Sequence, residues 1–152
     1  MSISVDSPDA LEGAIGASVT GDWFAIEQDR IQAFADATED WQWIHLDAER
    51  AASGPFGATI AHGYLTLSLV PRLTEGHLEV GGIVMVVNYG LDKVRFLQPV
   101  TSGSRVRATS QLATVEQSRQ GVRVGVTVTV EIEGAERPAL VAETLALFVP
   151  AS

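Results

Sequence analysis

Apolar residues recur at helical spacings before Gly82 and at alternating spacings after it. In Glu27–Thr38, EQDRIQAFADAT, the positions Ile31, Phe34 and Ala35 predict a surface helix packed by one stripe. Acids at its start suit a helix N-terminus. A second, short helix is expected over Asp47–Ser53, and Val19–Ile26 reads as a short strand with Trp23 and Ile26 toward the core. Residues 1–14 read as a mobile or helical lead-in. Ile60–Pro71 contains no Asp, Glu, Lys or Arg, and Leu65, Leu67, Leu69, Val70 and Leu73 nearly encircle the helix they predict. A helix apolar on every side belongs at the centre, wrapped by other structure. It is too short to cross a bilayer. Gly54, Pro55 and Gly57 break the chain before it, Pro71 kinks or closes it, and Thr74–Gly82 reads as a loop.

Beyond Gly82 the chain predicts strands. Ile83–Val87 is a continuous apolar run, and Leu91–Leu97 alternates Lys93 and Arg95 with Val94 and Phe96. Gln98–Gly103 should turn the chain into Arg105–Val115. Val122–Glu133 alternates most cleanly, and Leu140–Val149 completes the set after a turn. Short connections imply an antiparallel sheet. One apolar helix and several long strands have a simple packing solution: an α+β fold whose curved sheet wraps the helix. The whole of 1–152 forms one domain. A sheet edge left bare would invite pairing, so a homodimer is expected.

Composition narrows the chemistry. The chain has no cysteine, which removes disulfides, thiolate metal sites and cysteine nucleophiles and fits a cytoplasmic protein. The N-terminus lacks the basic region of a secretory signal, and no run is long enough to span a membrane. The net charge of −9 resides in residues 1–50, where eleven acids face Arg30 and Arg50. Such a chain is a poor partner for nucleic acid. No acid lies between Lys93 and Arg107; a solvated strand face is the default explanation for Lys93, Arg95, Arg105 and Arg107, which are nonetheless the best place to look for an anion site.

Three histidines carry the remaining possibilities. His77 lies in a polar loop and reads as solvated. His62 opens the apolar helix, where a packed, hydrogen-bonded histidine is the ordinary reading. His45 follows Asp40 by five positions in a non-helical segment with two indoles, Trp41 and Trp43, able to dry a pocket. A carboxylate beside an imidazole handles protons near neutral pH. His62-Gly63 then starts a helix, whose free N–H groups suit a carbonyl oxygen that gains negative charge. These parts point to proton chemistry beside a carbonyl on an apolar substrate.

The stretches FADATEDWQWIHLDAERAA and ATIAHGYLTLSL resemble the MaoC-like, R-specific enoyl-CoA hydratase (hydratase 2) branch of the hot-dog fold. Asp40, His45 and Ala51 match the family's Asp, His and small residue, and His62-Gly63 matches its downstream His-Gly. Asn88–Phe96, NYGLDKVRF, looks like the nodulation-protein-N-like subgroup. The family's Gly before the Asp is Glu39 here, and its Asn and Pro are Gln42 and Trp43. Gln42 keeps a polar bridging capacity; Trp43 bears on acyl-chain preference more than on the reaction.

The resemblance implies that Asp40 and His45 activate one water and add it reversibly to a trans-2-enoyl thioester, giving the (3R)-hydroxyacyl product. One of the pair takes the water's proton while the other supplies a proton at C2. A coupled pair titrates as a unit, which leaves acid and base unassigned. The Gly63 N–H would hold the thioester oxygen, with Gln42 and His62 beside the substrate. Lys93, Arg95, Arg105 or Arg107 would meet the CoA phosphates. No metal or redox cofactor is implied, because CoA belongs to the substrate. Two rivals remain: a hot-dog acyl-CoA thioesterase, disfavoured by the absence of acids in Ile60–Pro71, and a non-catalytic acyl-thioester-binding protein.

Overall fold

A computed structural model describes residues 1–152. In chain order it contains β1 (Ile3–Val5), a 3-10 helix (Pro8–Ala14), β2 (Ser18–Thr20), β3 (Phe24–Ala25), α1 (Gln28–Thr38), α2 (Trp43–Leu46), α3 (Ala48–Ala52), α4 (Gly63–Ser68), α5 (Val70–Leu73), β4 (Leu78–Val80), β5 (Ile83–Phe96), β6 (Arg105–Gln117), β7 (Val122–Ile132) and β8 (Leu140–Pro150). Val122, Val124, Val128, Val130 and Ile132 of β7 are buried while the residues between them are largely half-exposed, as period-two alternation requires. The strand lies inside an antiparallel sheet of order β2-β6-β7-β8-β5, with β3 also paired to β6.

Leu65, Leu69, Val70 and Leu73 pack with Ile26, Ile31, Val106, Val128, Val130 and Leu140 into the main core. Burying each large aliphatic side chain contributes about 1.5–3 kcal/mol. A smaller core at the other end joins Ile3, Leu11 and Val19 to Leu112, Val122, Val124 and Phe148.

The central helix departs from its expected form in two ways. It is interrupted at Leu69, whose N–H is shared between the carbonyls of Leu65 (3.0 Å) and Thr66 (3.2 Å). Pro71 has no N–H to return to Leu67, so the regular ladder cannot continue across this point. Nor is it wrapped on every side. Tyr64, Ser68, Pro71 and Arg72 form an exposed stripe, with Tyr64 70 % exposed.

The N-terminal region also differs from expectation. The lead-in is helical over Pro8–Ala14, a 3-10 helix anchored by Pro8 and Leu11, but it begins with β1, which pairs in parallel with β4. Thr74–Gly82 is therefore not simply a loop. Leu78 and Val80 gain a partner that only the tertiary fold supplies. This pairing buries His77, which is not solvated: its Nδ1 lies 2.7 Å from Ser110 Oγ, and its carbonyl accepts from Ile3 N. The expected strand over Val19–Ile26 splits into β2 and β3, both on β6, and Trp23 is half-buried beneath the Arg107 guanidinium, 4.3 Å from the ring centre. Ile83–Phe96 runs as one strand with register shifts, and Lys93 adopts φ 49° within the last of them. No helix is long and apolar enough to cross a membrane.

Candidate active site

The site begins at the end of α1. Glu39 takes φ 62°, ψ 27°, the left-handed conformation that commonly ends a helix and favours glycine. This turn sends Asp40 away from the helix axis. Asp40 Oδ1 accepts from the Gln42 N–H at 3.4 Å, and Gln42 O then accepts the His45 N–H at 3.1 Å, opening α2. His45 thus sits on a one-turn helix, not in the non-helical segment expected. Asp47 caps α3 by accepting the Arg50 N–H at 3.0 Å.

Two contacts fix His45 from behind. The Gln28 side chain on α1 donates to the His45 carbonyl (2.8 Å) and accepts from the Thr59 hydroxyl (2.7 Å). His45 Nδ1 lies 2.7 Å from the Ile60 carbonyl. A carbonyl only accepts, so Nδ1 carries the proton and, in the neutral ring, Nε2 is a bare acceptor. Burial lowers the proton affinity of His45, the Ile60 bond opposes this, His62 lowers it further, and Asp40 raises it. The ring is therefore held toward its neutral form, with a free base at Nε2.

His62 stacks on His45 with ring centres 3.8 Å apart and planes at 23°. Its Nε2 donates to the main-chain oxygen of Asp40 at 3.0 Å. One side-chain donor atom each from Asp40, His45 and His62 falls within 4.8 Å of the others. In stacked rings the lone pairs lie in nearly parallel planes, whereas ligands of one metal ion must converge on a point. The cluster suits protons better than a cation.

A cavity of about 330 Å³ opens in front of His45 and is lined by apolar residues that include Phe56, Ile60, Phe96 and Val100. Gly63 lines it too, and its N–H donates to no protein acceptor. A Cβ at Gly63 would meet the Phe96 ring at 3.1 Å, so glycine permits this close packing. The indoles do not dry the pocket. Trp41 is 54 % exposed and donates to Asp36 (2.9 Å), and Trp43 packs under the Arg50 guanidinium at 4.1 Å.

The structure brings together Asp40, His45, His62 and Gly63, with His45 and Gly63 on the cavity wall. Asp40 is exposed and stands beside that lining, and Gln42 is an exposed helix cap. The four cations do not share one patch. Lys93 and Arg95 lie on β5, while Arg105 and Arg107 lie on β6, with β7 and β8 between. Arg105 pairs with Glu133, Arg107 with Glu131, and Lys93 with Glu143 at 3.8 Å. Arg95 has no carboxylate partner; it donates to the Val94 carbonyl at 2.8 Å. Gln28, Thr59 and Ile60 escape a reading by motif, because their contribution is to hold His45 from distant segments.

A curved antiparallel sheet against a short apolar helix, with a carboxylate and an imidazole at the helix start, defines a hot-dog protein equipped for acid–base chemistry. The MaoC-like domain family matches residues 10–134, and the chain belongs to that family. It is 53 % identical over 141 residues to 3-hydroxyacyl-thioester dehydratase Z of Mycobacterium tuberculosis, covering 91 % of this chain and 93 % of that one. Nodulation protein N of Rhizobium leguminosarum bv. viciae is 45 % identical over 148 residues, 94 % of this chain and 89 % of the other. Among solved structures, the unliganded R-hydratase PhaJ1 from Pseudomonas aeruginosa superposes with TM-score 0.72 at 25 % identity, covering 91 % and 83 % of the two chains.

Proposed function

We propose that this protein is an R-specific enoyl-CoA hydratase, working reversibly as a 3-hydroxyacyl-thioester dehydratase. The carrying observation is that His45, whose Nε2 is left unprotonated, and Gly63, whose N–H is unpaired, line one apolar cavity, with the Asp40 carboxylate beside the imidazole. The family match and the identity to a 3-hydroxyacyl-thioester dehydratase support the same reading.

In hydration, Asp40 and His45 hold a water at the mouth of the cavity. His45 Nε2 takes its proton as the oxygen attacks C3 of the trans-2-enoyl thioester. Electron density moves through C2 to the thioester oxygen, where the Gly63 N–H receives it. The dyad then returns a proton to C2, completing addition of one water to give the (3R)-hydroxyacyl product. Dehydration retraces these steps. No metal or redox cofactor enters.

Arg95, free of any carboxylate, is the first choice for a CoA phosphate, with the loosely paired Lys93 next. Arg105 and Arg107 would have to leave their glutamates to contribute. The protein works in the cytoplasm as a homodimer. The deciding assay follows the conjugated enoyl-thioester absorbance of crotonyl-CoA, with chiral analysis of the product. Loss of absorbance, abolished in folded Asp40→Asn and His45→Gln variants, is the expected outcome. Release of free thiol from saturated acyl-CoA would instead mark a thioesterase, and binding without turnover a carrier.

A further inference from the structure

His62 is 3 % exposed and does not line the cavity. Its contacts go to the reacting groups and their support. One face stacks on His45 at 3.8 Å, Nε2 donates to the Asp40 carbonyl at 3.0 Å, and Phe34 of α1 closes on the ring at 4.9 Å between centres. Because Nε2 is the donor, the neutral ring leaves Nδ1 as an acceptor, and that atom is buried without a partner. A phenyl ring would fill the same space with no buried polar atom. Packing alone therefore does not account for an imidazole here.

We infer that His62 is a positioning residue for the hydratase reaction, an inference that rests on the function proposed above: by gripping the backbone of Asp40 and the plane of His45 together, it fixes the separation of carboxylate and imidazole. Asp40 belongs to the turn after α1, and His45 to α2. Gln42 joins them only through its own backbone, along the chain. His62, from the start of α4, is the side chain that touches both.

The stack also opposes charge on His45. Asp40 and His62 are the titratable groups that act on that ring. The other groups around it are uncharged: Gln28 on α1, the Ile60 carbonyl in the connection before α4, and Phe56 and Phe96 on the shared cavity wall. Burial is the larger effect holding the proton off His45 and remains, but removing the second imidazole takes away the other, so His45 should hold its proton to higher pH.

Two variants separate the two effects. His62→Gln retains an N–H able to reach the Asp40 carbonyl but removes the ring; His62→Ala removes both. Measured on crotonyl-CoA, kcat should fall about 100-fold in His62→Ala, the scale of a misplacement of about 1 Å. His62→Gln should recover part of that loss. KM should change little in either, since the residue does not touch the cavity. The titration of the His45 ring, followed by NMR, should move to higher pH in both, and the acid limb of kcat/KM should move with it. A raised KM at unchanged kcat, or a His45 titration identical to that of the parent protein, would overturn the inference. The NMR titration needs no turnover, so it stands apart from failure of the hydratase reading, which an inactive parent protein would reveal. Should His62→Ala not fold, His62→Gln alone carries the test.

Discussion

At the scale of single residues, the site rests on a few backbone decisions. Glu39 occupies a left-handed position that costs an ordinary L-residue roughly 1–2 kcal/mol. The resemblance places glycine there, and the observed dihedral supplies the physical reason. Glycine also gives the unfolded chain more freedom, which offsets part of the gain. Glu39→Gly should still stabilise the fold by about 0.5–1 kcal/mol, read as a higher denaturant midpoint at unchanged slope. An unchanged or lowered midpoint would mean that the Glu39 side chain contributes more than its backbone costs. That Asp40, His45 and Gly63 come together was legible in the sequence, because one motif names all three. Gln28, Thr59 and the Ile60 carbonyl were not, since nothing local marks a side chain or carbonyl as the support of a residue more than a dozen positions away.

Between elements, legibility followed the strength of the local pattern. The alternation in β6, β7 and β8 and the stripe in α1 located those elements to within a few residues. The pieces that escaped, β1, β4 and the one-turn α2, are three or four residues long and exist through tertiary partners. His77 was misread for the same reason. Buried under the β1–β4 pair and bonded to Ser110 of β6, it ties the N-terminal layer to the main sheet. Burial lowers its pKa below the ordinary 6.5, helped by the positive N-terminus nearby. The sign follows directly. Below about pH 6.5 the unfolded chain takes up a proton that the folded chain resists, so stability falls with pH until the folded value is passed. His45 contributes in the same direction. Denaturant melts between pH 7.5 and 5 should show this slope, and His77→Asn should reduce it while leaving the part due to His45. A slope unaltered in that variant would exclude His77 as a source.

Across the whole molecule, the exposed apolar surface is unevenly placed. Strand β5 pairs only with β8 and leaves its other edge open. Along it Val84, Met85, Val86, Val87, Tyr89 and Leu91 are each at least 43 % exposed. Tyr64, on the open stripe of the central helix, meets Phe96 at the end of the same strand, with ring centres 6.1 Å apart. Scattered apolar residues on a surface need no explanation, but a contiguous row on an open edge does. The opposite end of the sheet is treated differently: there β6 is covered by both β2 and β3. A second copy of the chain covers the β5 row most economically, because a two-fold axis can pair the strand with itself. Such pairing would bring a partner's surface close to Phe96, a wall of the cavity. Light scattering should therefore give twice the chain mass of 16.2 kDa. The double variant Val84→Lys, Val86→Lys sets like charges against each other across the axis and should yield a folded monomer with reduced kcat/KM. A monomeric parent protein would refute the pairing, and a variant that stays dimeric would move the interface away from β5.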